Sequence, residues 1–125
     1  MSKNNVEVGK LTISVRSHIK LSGIANLLDS ASKGSSYWAN TDLAYESETN
    51  KALTIEGVEI QDCEADDSDV NPKIYILNIQ RIKKGLTVMA KKYPSDFADF
   101  IKEDYDQTTG DVFLQCCLFG EVIYG

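Results

Sequence analysis

The sequence predicts an α+β domain: a small, mostly antiparallel sheet of three to four strands packed by three to four helices. Three observations lead there. Short stretches alternate with a period of two, longer ones place apolar residues three and four apart, and 125 residues suit one domain and are short for two. Hydrophobic residues are 42% and charged residues 26% of the chain, a balance that supports a core and excludes disorder. The organisation expected is a flexible N-terminal tail over 1–9, then a single domain over 10–125 with an acidic loop at 61–71.

Leu11, Ile13 and Val15 alternate with Thr12, Ser14 and Arg16, which reads as a half-buried strand. Leu21, Ile24, Ala25, Leu28 and Ala31 share one face of a helix over about 21–32, with Gly34 placed for a left-handed cap. Leu53, Ile55, Val58 and Ile60 form a strand-like region in which Gly57 marks a turn or bulge. Pro72 closes the acidic loop, and Ile74 with Ile76 indicates a short further strand. Asn78 is placed to cap a helix carrying Ile79, Ile82, Leu86, Met89 and Tyr93. Pro94 ends it, and Ser95 can cap a short successor with Phe97, Phe100 and Ile101. Thr108 or Thr109 with Asp111 resembles another helix start, leading into Val112, Phe113, Leu114, Cys117 and Leu118. A buried strand competes for that run, because it is rich in β-formers. Gly120 stops the element, and Val122, Ile123 and Tyr124 read as a terminal strand.

Charge is segregated. Ten acids between Asp42 and Asn71 face Lys51 alone, a net of −9 in a chain whose total is −6. They include Glu56, Glu59, Asp62, Glu64, Asp66, Asp67 and Asp69. From Lys73 to Lys92 stand six bases and no acid, among them Arg81, Lys83 and Lys84 on one helix. Such segments are often plain solvated faces. They also favour a charged partner or a second copy of the chain. An acidic strip can imitate the phosphate row of a nucleic acid on a basic protein, whereas direct nucleic-acid binding needs a basic footprint that the overall charge opposes.

Catalytic and metal signals are sparse. His18 is the single histidine, so no two-histidine metal site forms within one chain. The acidic loop lacks the glycine and final glutamate of an EF-hand. No metal or cofactor is expected. Cys116 and Cys117 lie in an apolar run, where a small buried thiol is the common outcome; a pairing of either with His18 is the enzymatic alternative. Three cysteines, two adjacent, fit a reducing compartment, and Met1–Asn5 lacks the apolar stretch of a signal peptide. Tyr37 and Trp38 fit either a core position with polar tips at the surface or a pocket wall that stacks a flat ligand. Such a pocket would lie between them and Gly120–Tyr124.

The segment Gly34-Ser35-Ser36-Tyr37-Trp38 resembles the Gly-Gly-x-x-Tyr-Trp segment of a group of small bacteriophage and prophage proteins, with Ser35 where a second glycine is common. Gly85 to Pro94 and Phe97-Ala98-Asp99 resemble the same group's middle helix. The tail is its most specific part: Asp106, Thr109 to Gln115, then Leu118-Phe119-Gly120-Glu121-Val122-Ile123-Tyr124-Gly125. The resemblance implies a phage or prophage origin and action in the host cytoplasm, and it carries no catalytic residue. In size and charge the chain is similar to inhibitors of host defence, the anti-CRISPR proteins among them.

Two functions follow as expectations. The first is a non-enzymatic accessory protein that binds and inhibits a host defence or nucleic-acid-handling protein through Glu56, Glu59, Asp62, Glu64, Asp66, Asp67 and Asp69. The second is an oligomer that sequesters an anionic nucleotide-like signal, with Tyr37 or Trp38 on its base and Arg81, Lys83 or Lys84 on its phosphate.

Overall fold

The structure is a computed structural model that describes residues 6–7, 10–11, 18–64 and 73–125. The expected α+β class is what it shows. Val6–Glu7 (β1) pair antiparallel with Lys10–Leu11 (β2), so part of the expected flexible tail is the arm of a two-stranded ladder. The strand expected through Ile13 and Val15 lies otherwise outside the described residues. Leu21–Gly34 form α1, Ala39–Asn40 β3, Glu46–Ala52 α2, Val58–Asp62 β4 and Lys73–Leu77 β5. Ile79–Lys92 (α3), Pro94–Ile101 (α4) and Gln107–Phe119 (α5) complete the order.

Helix α5 is the axis of the molecule. It packs α1 on one side and α3 on another, and also meets α4 and β5. Phe113, Leu114, Cys116, Cys117 and Leu118 are all buried. A helix enclosed on every side carries apolar residues on every side, which erases the one-faced stripe that distinguishes helix from strand in a sequence. The buried-strand alternative for 111–119 is overturned for that reason.

Helix–helix approach explains three glycines. Gly34 stands inside α1 rather than at a left-handed cap. A Cβ there would lie 1.9 Å from the Gln107 carbonyl oxygen, so the residue is small because α5 crosses at that point. Gly110 makes the reciprocal approach to Ser30 and Ala31, and Gly85 brings α3 against Cys117. The cap of α1 is Ser35, whose ordinary dihedrals of −99° and 5° demand no glycine.

Capping corrects two further expectations. Asn78 does cap α3, accepting from the Arg81 amide at 3.0 Å. Ser95, however, caps nothing: Pro94 occupies the first turn of α4, where a missing N–H costs nothing, and Tyr93 precedes it. At α5 the cap is Asp106, which accepts from Thr108 and Thr109 amides at 3.0 and 3.4 Å. Asp111 instead sits within the helix and faces inward. Gly120 ends α5 at φ 76°, as expected.

Strands β3, β4 and β5 form one antiparallel sheet in that order. Gly57, at φ 75°, turns the chain into β4 against the Leu77 carbonyl. Val58 pairs with Leu77 and Ile60 with Tyr75, and these face the interior. Ile74 and Ile76, the residues that signal the strand, are on the other face. Leu53 and Ile55 precede β4 in a bend rather than a strand, with Ile55 exposed. Helix α2 has only Thr49 and Ala52 buried, too little apolar periodicity to be visible in the sequence. Val122–Tyr124 form no strand.

Candidate functional site

Two constellations matter: a buried polar network around Asp111, and the open outer face of the sheet.

The first begins with Trp38, which is fully enclosed. Its ring clusters with those of Phe119 and Tyr124, with centroids at 5.3 and 5.4 Å from its own and 5.9 Å between the two. Trp38 Nε1 donates to Asp111 Oδ1 at 2.7 Å, and Tyr37 Oη donates to Asp111 Oδ2 at 2.6 Å. Gln115, one turn along α5, donates from Nε2 to the same Oδ1 at 3.0 Å and to the Tyr124 carbonyl at 3.1 Å. Its Oε1 accepts the Ile123 and Tyr124 amides at 2.7 and 2.9 Å. One carboxamide thus supplies the partners that a neighbouring strand would have supplied to the C-terminal segment, which is why that segment can be extended without joining the sheet. Tyr93 Oη accepts the Val122 amide at 2.7 Å, and Lys92 Nζ donates to the Gly120 carbonyl at 3.1 Å. Burial, then the hydrogen bond to Asp111, pushes the Tyr37 hydroxyl up to about 12.

This network corrects the expected ligand site. Trp38 has no free ring face, and the proposed space between it and Gly120–Tyr124 is filled by Tyr124. Tyr37 is half exposed, but its hydroxyl is committed to Asp111. Arg81, Lys83 and Lys84 lie on α3, and no hydrogen bond among the described residues joins them to Tyr37. Tyr37, Trp38, Asp111, Gln115 and Tyr124 instead tie helix α5 to the segment before β3 and to the C-terminal segment.

Asp62 is a second correction. It was expected on the acidic surface, yet it is 5% exposed and faces inward. Its carboxylate accepts Tyr124 Oη at 2.9 and 3.1 Å and the Glu64 amide at 3.0 Å. The strand alternation requires this: Asp62 shares the inward row with Val58 and Ile60. Burial, then this bond, raises the Tyr124 hydroxyl to about 12. Asp66, Asp67 and Asp69 lie outside the described residues, while Glu64 is exposed at the end of β4.

The second constellation is the sheet's outer face. Glu59 and Gln61 point outward from β4, opposite Ile76 and Ile74 of β5, and Asn40 of β3 continues the row. Asp42, Glu48 and Glu56 join them around a concavity of about 590 Å³, with Lys51 as its single base among the described residues. Four carboxylates therefore line one depression. Among the described residues none of the four is in an ion pair; the pair found there is Lys33 with Asp29 at 3.3 Å. Asp42 and Glu48 belong to this site beside the predicted Glu56 and Glu59. Their signal was the charge run itself, and their convergence needed α2 to fold back beside β4.

Helix α3 displays the opposite potential: Lys83, Lys84, Lys91 and Lys92 are exposed on it. A further groove between α1 and the α4–α5 turn is lined by Asn26, Asp29, Phe100, Glu103 and Tyr105. Glu103 sits there at φ 58°.

Cys116 and Cys117 pack in the core, and burial lifts the Cys116 thiol to about 11 and that of Cys117 well above the usual range. Thiols so disfavoured as thiolates are poor nucleophiles. His18 is exposed just before α1. No cluster of three or more potential metal ligands occurs among the described residues, and none of their helices is long and apolar enough to cross a membrane.

Comparison with known proteins adds no relative: no family model, curated protein or solved structure matches the chain.

Proposed function

We propose that this chain is a non-enzymatic accessory protein of phage or prophage origin that acts in the host cytoplasm. It binds a basic surface on a host defence or nucleic-acid-handling protein and blocks it. The observation that carries the reading is the gathering of Asp42, Glu48, Glu56 and Glu59 around one open depression, with no ion pair to them among the described residues. Carboxylates held at a low-dielectric protein surface attract a cationic partner and speed its approach, an effect that salt suppresses.

The test is a pull-down from host lysate at low and high salt, using the native chain and a Glu56→Lys/Glu59→Lys variant. Both positions are exposed, so the variant keeps its fold. At about 0.2–1 kcal/mol for each exposed pair, and with attraction turned into repulsion, the partner should bind roughly tenfold more weakly. Unchanged recovery at low salt would refute the reading. The sequestering alternative loses its stacking tryptophan to the core. A thermal shift with any nucleotide or cyclic dinucleotide would be needed to restore it.

A further inference from the structure

We propose that the outer face of the sheet receives a basic amphipathic helix of the partner, with Ile74 and Ile76 as its apolar seat. This rests on the docking function above and names the shape of what docks. An antiparallel sheet with one solvated face ordinarily alternates apolar-in with polar-out. Strand β5 departs from that pattern: Ile74 is 50% and Ile76 40% exposed, two residues apart on the same face. Directly across from them stand Gln61 and Glu59. The face therefore grades from apolar on β5 to acidic around Asp42, Glu48 and Glu56.

The dimensions select a helix. Strands lie about 4.7–4.9 Å apart, so roughly 9–10 Å separate β5 from β3. A helix with its side chains is about 10–12 Å across. One helix lying in the depression covers the isoleucines with its apolar stripe while lysines or arginines on its flank reach the carboxylates. A basic unstructured tail would satisfy the acids and leave the isoleucines wet.

The probes are two synthetic peptides of identical leucine and lysine composition. One places leucine at i, i+3, i+4 and i+7; the other is scrambled so that no stripe forms. Binding of each to the full chain is measured by fluorescence anisotropy. Covering two half-exposed isoleucines is worth about tenfold in affinity, so the striped peptide should bind about tenfold more tightly than the scrambled one. Ile74→Thr/Ile76→Thr, which keeps β-branched residues on an exposed face, should abolish that preference and leave weak, salt-sensitive binding of both peptides. Glu56→Gln/Glu59→Gln should weaken both peptides alike. Equal binding of the two peptides, or a preference that survives the threonine variant, overturns the helix while leaving acid-dependent capture of the partner standing. Binding that ignores the glutamine variant overturns this inference, and only an unchanged pull-down with the lysine variant removes the docking function beneath it.

Discussion

Replacing Gly110 with alanine tests the packing argument most directly. The new Cβ would lie 2.4 Å from the Ala31 nitrogen, 2.5 Å from the Ser30 carbonyl carbon and 2.8 Å from the Ala31 Cα. All three atoms are backbone of α1, so no side chain can swing aside. Restoring ordinary contact requires α1 and α5 to part by about 1 Å, and close-packed interiors resist such a shift. Overpacking of this kind costs about 1–3 kcal/mol, against at most about 1 kcal/mol gained from the better helix propensity of alanine. Because the obstruction is backbone at the crossing of the central helix, the cost belongs at the upper end, leaving a net loss of about 2 kcal/mol. For a chain of this length that lowers the melting temperature by about 8 °C. Gly23→Ala is the control, for a Cβ at Gly23 has nothing within 4 Å. The same substitution there should raise stability by up to about 1 kcal/mol. Urea and thermal denaturation of both variants decide the matter. A Gly110→Ala protein as stable as the native chain, or shifts of the same sign in both, would refute the reasoning.

Asp111→Ala leaves the Trp38 indole and the Gln115 amide without their shared acceptor, and stability should fall by about 2–4 kcal/mol in denaturant titrations followed by tryptophan fluorescence. A loss under about 1 kcal/mol would remove the network from its structural role. Alkaline unfolding follows from the raised tyrosines. A hydroxyl held at about 12 when folded and near 10 when unfolded gives its stabilisation in full below pH 10 and loses it between pH 10 and 12. Tyr37→Phe/Tyr124→Phe should therefore flatten the fall in melting temperature over that window, and an unaltered slope would contradict the assignment. Thiol labelling of the native protein should modify Cys63 quickly and spare Cys116 and Cys117 until the chain unfolds. Rapid reaction at three sites would overturn their burial.

The amphipathic helices were legible because one face of each meets the core. Ile24, Leu28 and Ala31 mark α1, and Ile82, Leu86 and Met89 mark α3, at the spacing that burial later confirms. Local chemistry was equally readable at Asn78 and Gly120, since a cap and a left-handed stop depend on neighbouring backbone alone. Helix α2 left no such trace, because two buried residues in seven make no stripe.

The charge run and the strand signals were thus written in the chain itself: composition gives the sign of a surface, and periodicity gives the elements. Their placement was not. Whether Ile74 and Ile76 or Tyr75 and Leu77 turned inward depended on the register against β4, and the same pairing sent Asp62 to the interior and Glu59 to the solvent. The aromatic pair Tyr37 and Trp38 became structural only when α5 brought Asp111 and Gln115 to it from more than seventy residues away. Contacts at such separation are fixed by how helices and strands pack, and no local pattern encodes them.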